Sequence, residues 1–158
     1  MQVLILYGSK TGTTETCAMK IKEEMQGHDV TVVNLKKRFK GELSNYDAVI
    51  VGTPLYMGKM SHHVERFYHE YGQAILNSKL HLFVCGLARG EEGVELLKKQ
   101  VPPKIFEHAT QARQLGGDVH VDRLNPIYKF IMNKILAESK PELGLLDEEI
   151  KTFASNIH

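Results

Sequence analysis

Short apolar runs alternate along the chain with longer stretches in which apolar residues recur every three or four positions. The runs are typical of buried strands, and they cover residues 3–7, 30–34, 48–52, 80–85 and 118–121. Helix-like stretches separate them, except in the short gap before the third run. This alternation predicts an α/β fold, in which a parallel sheet is covered by helices on both faces.

Four of the helix-like stretches have clear limits in the sequence. We expect helices at 14–25, at 61–76, at 91–100, where Pro102 and Pro103 stop the pattern, and at 147–157. The side chains predicted to face the core in three of these helices are Cys17, Ala18, Ile21 and Met25; Val64, Phe67, Tyr68, Tyr71 and Ile75; and Ile150, Phe153, Ala154 and Ile157.

Five strands connected in this way favour a doubly wound sheet of order 2-1-3-4-5. Such sheets bind ligands outside the carboxyl ends of the strands, at the point where the strand order reverses. That point lies between strands one and three. The loops that leave these two strands are therefore the first places to look for a site.

The composition is that of an ordinary globular protein. The 158 residues fit one domain, 1–158, with 42% hydrophobic and 25% charged residues and no internal repeat. No membrane-length apolar segment and no secretory signal are visible, so we expect a soluble, cytoplasmic protein. Cys17 and Cys85 suit a reducing compartment as two small buried side chains, and a net charge of +1 argues against nucleic-acid binding.

The loop after strand one combines hydroxyls and glycines at a predicted helix start. Ser9, Thr11, Thr13 and Thr14 offer hydroxyl groups, and Gly12 permits positive φ. Backbone N–H groups and the helix dipole at such a position favour a phosphate. The loop is neither a P-loop nor a dinucleotide fingerprint, because Thr13 and Lys10 stand where those motifs require other residues.

The remaining pattern, Ser9-x-Thr11-Gly12-x-Thr14, resembles the phosphate loop of the flavodoxins, which holds the terminal phosphate of FMN. All four defined positions match. The resemblance implies that FMN is the cofactor. Lys10 is a departure, because flavodoxin phosphate loops are typically free of basic residues.

The loop after strand three, residues 52–60, is apolar and aromatic enough to cover an isoalloxazine ring. This loop and the later run 82–87 resemble the flavodoxin-domain branch that includes menaquinone-dependent protoporphyrinogen dehydrogenase. The resemblance implies contacts at the phosphate, at the ring and on the far side of the ring. The implied cofactor-binding residues are Ser9, Lys10, Thr11, Gly12, Thr13, Thr14, Thr53, Pro54, Leu55, Tyr56, Met57, Gly58, Lys59, Gly86, Leu87, Ala88 and Arg89.

Two redox functions stay open. The first is electron transfer through bound FMN to a redox partner protein. The second is an enzyme of heme biosynthesis that oxidises protoporphyrinogen IX and passes electrons to a quinone. Carrier flavodoxins are usually strongly acidic and this chain is not, which weakens the pure-carrier interpretation. A cofactor-free binding domain and a signalling receiver are less favoured, since the receiver's acidic positions hold Gly8-Ser9 and Gly52-Thr53.

A further apolar stripe follows the fifth predicted strand. It consists of Leu124, Ile127, Tyr128, Ile131, Met132, Ile135 and Leu136, with Phe130 off the stripe. We expect this helix to face the core. The alternative is peripheral membrane contact through 123–136, or a cover for a quinone or porphyrin site. His62, His63 and His69 lack the spacing of metal ligands, so no metal is predicted.

Overall fold

A five-stranded parallel sheet forms the centre of the computed structural model, which describes residues 1–118 and 120–158. Its strands are β1 (Gln2–Tyr7), β2 (Asp29–Asn34), β3 (Ala48–Tyr56), β5 (Leu80–Cys85) and β6 (Gln111–Gln114), in the order β2-β1-β3-β5-β6. With the five counted along the chain, this is the predicted order 2-1-3-4-5. The flavodoxin-like doubly wound fold is confirmed.

Six α-helices accompany the sheet in the described part of the chain. They are α1 (Thr13–Glu24), α2 (His62–Ile75), α3 (Gly90–Gln100), α4 (Pro103–His108), α5 (Pro126–Ser139) and α6 (Asp147–Ser155). The predicted helix limits are correct to within two residues for α1, α2, α3 and α6. The short gap before β3 holds a 3₁₀ turn at Leu43–Asn45.

Apolar side chains on both faces of the central strands explain why helices cover both sides. In β1, Val3 and Ile5 pack with α1 and α6, whereas Leu4 and Leu6 pack with the core under α2 and α3. All four are fully buried. The predicted inward faces of α1 and α6 are confirmed, and in α2 the same holds except that Tyr71 is only half-buried.

The predicted fifth strand, 118–121, is wrong. The fifth parallel strand is β6, Gln111–Gln114, which pairs with β5 from His81 to Val84. Residues 121–123 form a 3₁₀ turn, Asp118 is outside any strand, and Val119 lies outside the described residues. Strand β6 lacks an apolar run because its polar side chains find partners in the fold. Nη1 of Arg113, for example, lies 2.9 Å from Oε2 of Glu149.

Strand β3 is longer than its apolar run predicts. It continues through Thr53 and Pro54 to Tyr56 and then turns back in a hairpin with β4 (Lys59–Met60). The two turn residues, Met57 and Gly58, both have positive φ, 52° and 77°, as a type I′ turn requires. The segment predicted as a loop is therefore a hairpin.

The stripe in α5 is less buried than a core-facing helix would be. Met132 and, just before the helix, Leu124 are buried, but the side chain of Ile127 is 73% exposed. Phe130 is exposed to the same degree. The expected core-facing helix is thus only partly correct. In the part of the chain that the structure describes, no helix is long and apolar enough to cross a bilayer.

The two cysteines, distant in the sequence, come together in the core. Cys17 on α1 and Cys85 at the end of β5 are both buried and free, as predicted. A hydrogen bond to Cys85, together with burial, raises the pKa of Cys17 well above its ordinary value. Cys17 is therefore a protonated thiol at neutral pH.

We predict that Gly52→Ala destabilises the fold, because a methyl group at Gly52 would lie 2.0 Å from Cζ of the buried Phe83 ring. Overpacking of this kind costs about 1–3 kcal/mol in the free energy of unfolding. Gly72→Ala is the matched control, since nothing lies within 4 Å of its added methyl in α2. It should stabilise by about 0.5–1 kcal/mol. Urea denaturation measures the free energy of unfolding of both variants. Equal changes in Gly52→Ala and Gly72→Ala would contradict the packing argument.

His81 in β5 should make stability depend on pH. Burial, then the charges of His158 and Lys79, lower the pKa of His81 to about 4. The unfolded chain therefore takes up this proton near pH 6.5 while the folded chain does not. Stability should fall by on the order of 3 kcal/mol between pH 6.5 and pH 4. Urea denaturation at several pH values measures the free energy of unfolding, and in His81→Gln it should fall less between pH 6.5 and pH 4 than in the wild type. Identical pH profiles of the two proteins would contradict the role of His81.

Candidate functional site

The first two predicted loops begin side by side at the carboxyl edge of the sheet. The backbone N–H of Gly8 donates to the carbonyl of Gly52 at 3.1 Å. The loop after β1 therefore starts directly beside Gly52 of β3. The third loop leaves β5, the neighbour of β3, at Cys85. The ligand position expected from the topology is thus formed by these three segments.

The loop after β1 ends at the N-terminus of α1. Gly12 is the residue before the helix and has φ 103°, and its N–H donates to Ser9 Oγ at 3.1 Å. Thr14 lies one residue inside the helix with 1% of its surface exposed. Its Oγ1 is buried and has no hydrogen-bond partner among the described residues. A buried hydroxyl without a partner is costly, and a ligand oxygen would satisfy it.

A hydrogen bond closes the hairpin over this loop. The hydroxyl groups of buried Thr11 and of Tyr56 lie 2.8 Å apart. Burial raises the pKa of Tyr56, so its hydroxyl stays protonated at neutral pH and can donate. The side chain of Tyr56 therefore spans from the hairpin to the loop after β1.

Behind Tyr56 lies a mostly apolar cavity of about 190 Å³. Its walls are the start of α1, the β3–β4 hairpin, the loop after β5 and one side of α5. The residues that line it are Thr13, Thr14, Pro54, Leu55, Tyr56, Met57, Gly58, Val84, Cys85, Gly86, Leu87, Ala88, Gly93, Leu96, Gly117, Asp118, Met132 and Ile135. Ligand cavities are usually about 300–1,000 Å³. The cavity is smaller than this range, and Met132 and Ile135 are the α5 residues in its wall.

Ten of the seventeen residues implied by the resemblance line this cavity, and seven do not. Ser9, Thr11 and Gly12 lie in the loop after β1, and the other four have different contacts. The hydroxyl of Thr53 donates to the Pro54 carbonyl at 3.0 Å and accepts from Ser61 N–H. Arg89 donates to the carbonyls of Glu142 and Gly144. These hydrogen bonds join the loop after β5 to the segment after α5. Lys10 and Lys59 face a second cavity on the other side of the hairpin.

Two residues outside the predicted cofactor-binding set, Arg123 and Tyr128, reach the loop after β1. Nη1 of Arg123 donates to the carbonyl of Thr11 at 2.5 Å and would lie 3.0 Å from a methyl group at Gly12. Nζ of Lys10 lies 4.1 Å from the ring centroid of Tyr128 and 5.1 Å from that of Tyr56. Both partners come from the segment around α5, more than 100 positions away, and no local signal marks them.

The donors and the cavity fit FMN by their chemistry. The unpartnered hydroxyl of Thr14, the N-terminus of α1 and the guanidinium of Arg123 suit a phosphate. The apolar walls beside them suit a flat aromatic ring. The arrangement offers positive charge and hydrogen-bond donors at one end and apolar contact at the other.

Comparisons with known proteins agree with this geometry. The model of the flavodoxin domain family matches residues 4–142. A flavodoxin from Synechocystis sp. is 30% identical over 97% of this chain and 94% of its own length. A flavodoxin from Clostridium saccharobutylicum is 34% identical, but that match spans only 51% of this chain and 52% of the relative.

Among solved structures, the Streptococcus pneumoniae flavodoxin superposes with a TM-score of 0.61 at 14% identity. That match covers 99% of this chain and 97% of the other, which shows a shared fold. The family model and the nearly full-length Synechocystis relative show more than the fold, because they match the sequence itself. The chain belongs to the flavodoxin domain family.

Proposed function

We propose that this protein binds FMN and transfers electrons through it to a redox partner protein. Flavin in such a site supplies the redox chemistry, and the chain supplies position, electrostatics and shielding from water. Membership in the flavodoxin domain family supports this function. The buried Thr14 hydroxyl without a partner, at the start of α1 and beside an apolar cavity, is the observation that carries it.

In this proposal each segment at the sheet edge has its own part. The loop Ser9–Thr14 and Arg123 hold the phosphate, and Thr14 Oγ1 donates to it. The hairpin around Tyr56 and the loop after β5 cover the two sides of the ring. Met132 and Ile135 on α5 exclude water from the ring, since they already line the cavity.

Analysis of the released cofactor tests the proposal directly. We expect mass spectrometry of the heat-released flavin to identify FMN, and we expect FMN to restore the yellow protein after removal. A terminal phosphomonoester, which FMN has and FAD lacks, suits the hydroxyls and N–H groups at the start of α1. Bound FAD, or no flavin uptake after reconstitution, would contradict the proposal.

We predict that Arg123→Gln weakens FMN binding much more than riboflavin binding. Riboflavin has no phosphate, so only FMN loses a hydrogen bond to a charged group. Such a bond is worth about 1.5–3 kcal/mol, or roughly 10-fold to 150-fold in Kd. Thr14→Val should show the same selectivity. Quenching of flavin fluorescence measures both dissociation constants.

Lys134→Gln is the matched control for the charge change, because Lys134 is an exposed residue of α5. It should leave both dissociation constants within about twofold. Equal weakening of FMN and riboflavin by Arg123→Gln would mean that Arg123 only supports the fold of the loop. An equal loss in Lys134→Gln would assign the effect to net charge.

The second candidate is quinone-linked oxidation of protoporphyrinogen IX. The exposed Ile127 and Phe130 on α5, beside exposed Lys129, favour it, because an apolar and basic helix face suits peripheral membrane contact and a quinone partner. Porphyrin fluorescence separates the two functions when the flavin-loaded protein is mixed with protoporphyrinogen and a menaquinone analogue. A porphyrin signal that depends on the protein supports the enzyme.

A further inference from the structure

A second cavity, of about 530 Å³, lies on the far side of the hairpin from the first. It is bounded by the loop after β1, the hairpin, the start of α2 and α5. Its lining residues are Ser9, Lys10, Lys36, Pro54, Tyr56, Met57, Lys59, Met60, Ser61, His62, His63 and Tyr128. Its volume lies within the usual range for a small-molecule site.

The charge of this lining has one sign. Three of the twelve lining residues are lysines, namely Lys10, Lys36 and Lys59, and none of the described lining residues is Asp or Glu. His62 and His63 add two imidazole rings. The N-terminus of α2 opens here as well, with Ser61 Oγ accepting from His63 N–H at 3.2 Å. Its dipole adds further positive potential. A cavity that concentrates like charges in this way is stabilised by an anion.

His63 is a second feature of this lining that suits an acceptor group. Its Nδ1 is buried and has no hydrogen-bond partner among the described residues. Burial, then the nearby charges of His62, Arg66 and Lys36, lower the pKa of His63. An acceptor oxygen at this point would both pair with the ring and offset the surrounding charge.

The remaining walls suit a flat molecule. Nζ of Lys10 lies 5.1 Å from the ring centroid of Tyr56 and 4.1 Å from that of Tyr128, so both aromatic rings are close to this ammonium. Met57 and Met60 add flexible apolar surface, which adapts to aromatic ligands. Aromatic walls next to ammonium groups recognise a ring that carries carboxylates better than a bare inorganic ion.

We propose that this cavity binds a flat organic anion, with its acidic groups at Lys36 and His63 and its ring against Tyr56 and Tyr128. The ligand is distinct from the flavin, so the site goes beyond the proposed function. Pro54, Tyr56 and Met57 line both cavities, so the bound anion would share these hairpin residues with the first cavity.

Isothermal titration of the purified, flavin-loaded protein tests this with naphthalene-2,6-dicarboxylate as the probe and naphthalene-2,6-dimethanol as its neutral match. We expect the dicarboxylate to bind at least tenfold more tightly than the diol. Lys36→Gln and His63→Gln should each weaken the dicarboxylate threefold to tenfold and leave the diol unchanged. Lys104→Gln, an equal charge change on α4 outside the cavity, should have no effect. The ring proton signals of His63 should shift on binding.

Equal affinity for the diol, equal weakening by Lys104→Gln, or displacement of the flavin by the dicarboxylate would each overturn the proposal. Displacement would mean that the cavity is a part of the cofactor site. The two proposals fail separately. If the protein takes up no flavin but binds the dicarboxylate with the expected variant pattern, the flavin function is wrong and the anion site stands.

Discussion

The parallel pairing of β1 with β3 is the constraint on which both cavities depend. It ends in the hydrogen bond from Gly8 N–H to the Gly52 carbonyl, and the Phe83 ring occupies the space that a side chain at Gly52 would need. Parallel strands direct their carboxyl ends to the same edge. The backbone pairing alone therefore places the loop after β1 beside the β3–β4 hairpin, and no side-chain contact is needed for this.

Much of this arrangement could be predicted because it follows from local physics. Strands buried on both faces read as continuous apolar runs, which is why β1 and β5 were located to within a residue. Helix α1 was found from apolar spacing, and the phosphate loop before it from hydroxyls and Gly12 at a strand-to-helix junction. In each case the signal lies within a dozen residues.

What was missed depends on contacts between distant parts of the chain. Strand β6 is an edge strand whose polar side chains, such as Arg113, find partners on α6, so its sequence lacks the apolar signal. Arg123 reaches the Thr11 carbonyl across 112 positions, and its role follows only from where the turn before α5 lies. The apolar stripe of α5 predicted burial, but Ile127 is exposed, and the helix lines the cavity through Met132 and Ile135.

The buried contact between Cys17 and Cys85 has a consequence for how the protein meets oxidants. Peroxides and disulfides react with thiolates, and the raised pKa of Cys17 keeps this population very small at neutral pH. Cys17 and Cys85 are the chain's only cysteines, and both are buried, although Cys85 also lines the first cavity. Cys17 is thus a poor target for peroxides, and oxidation of sulfur falls first on exposed methionines such as Met19 and Met57.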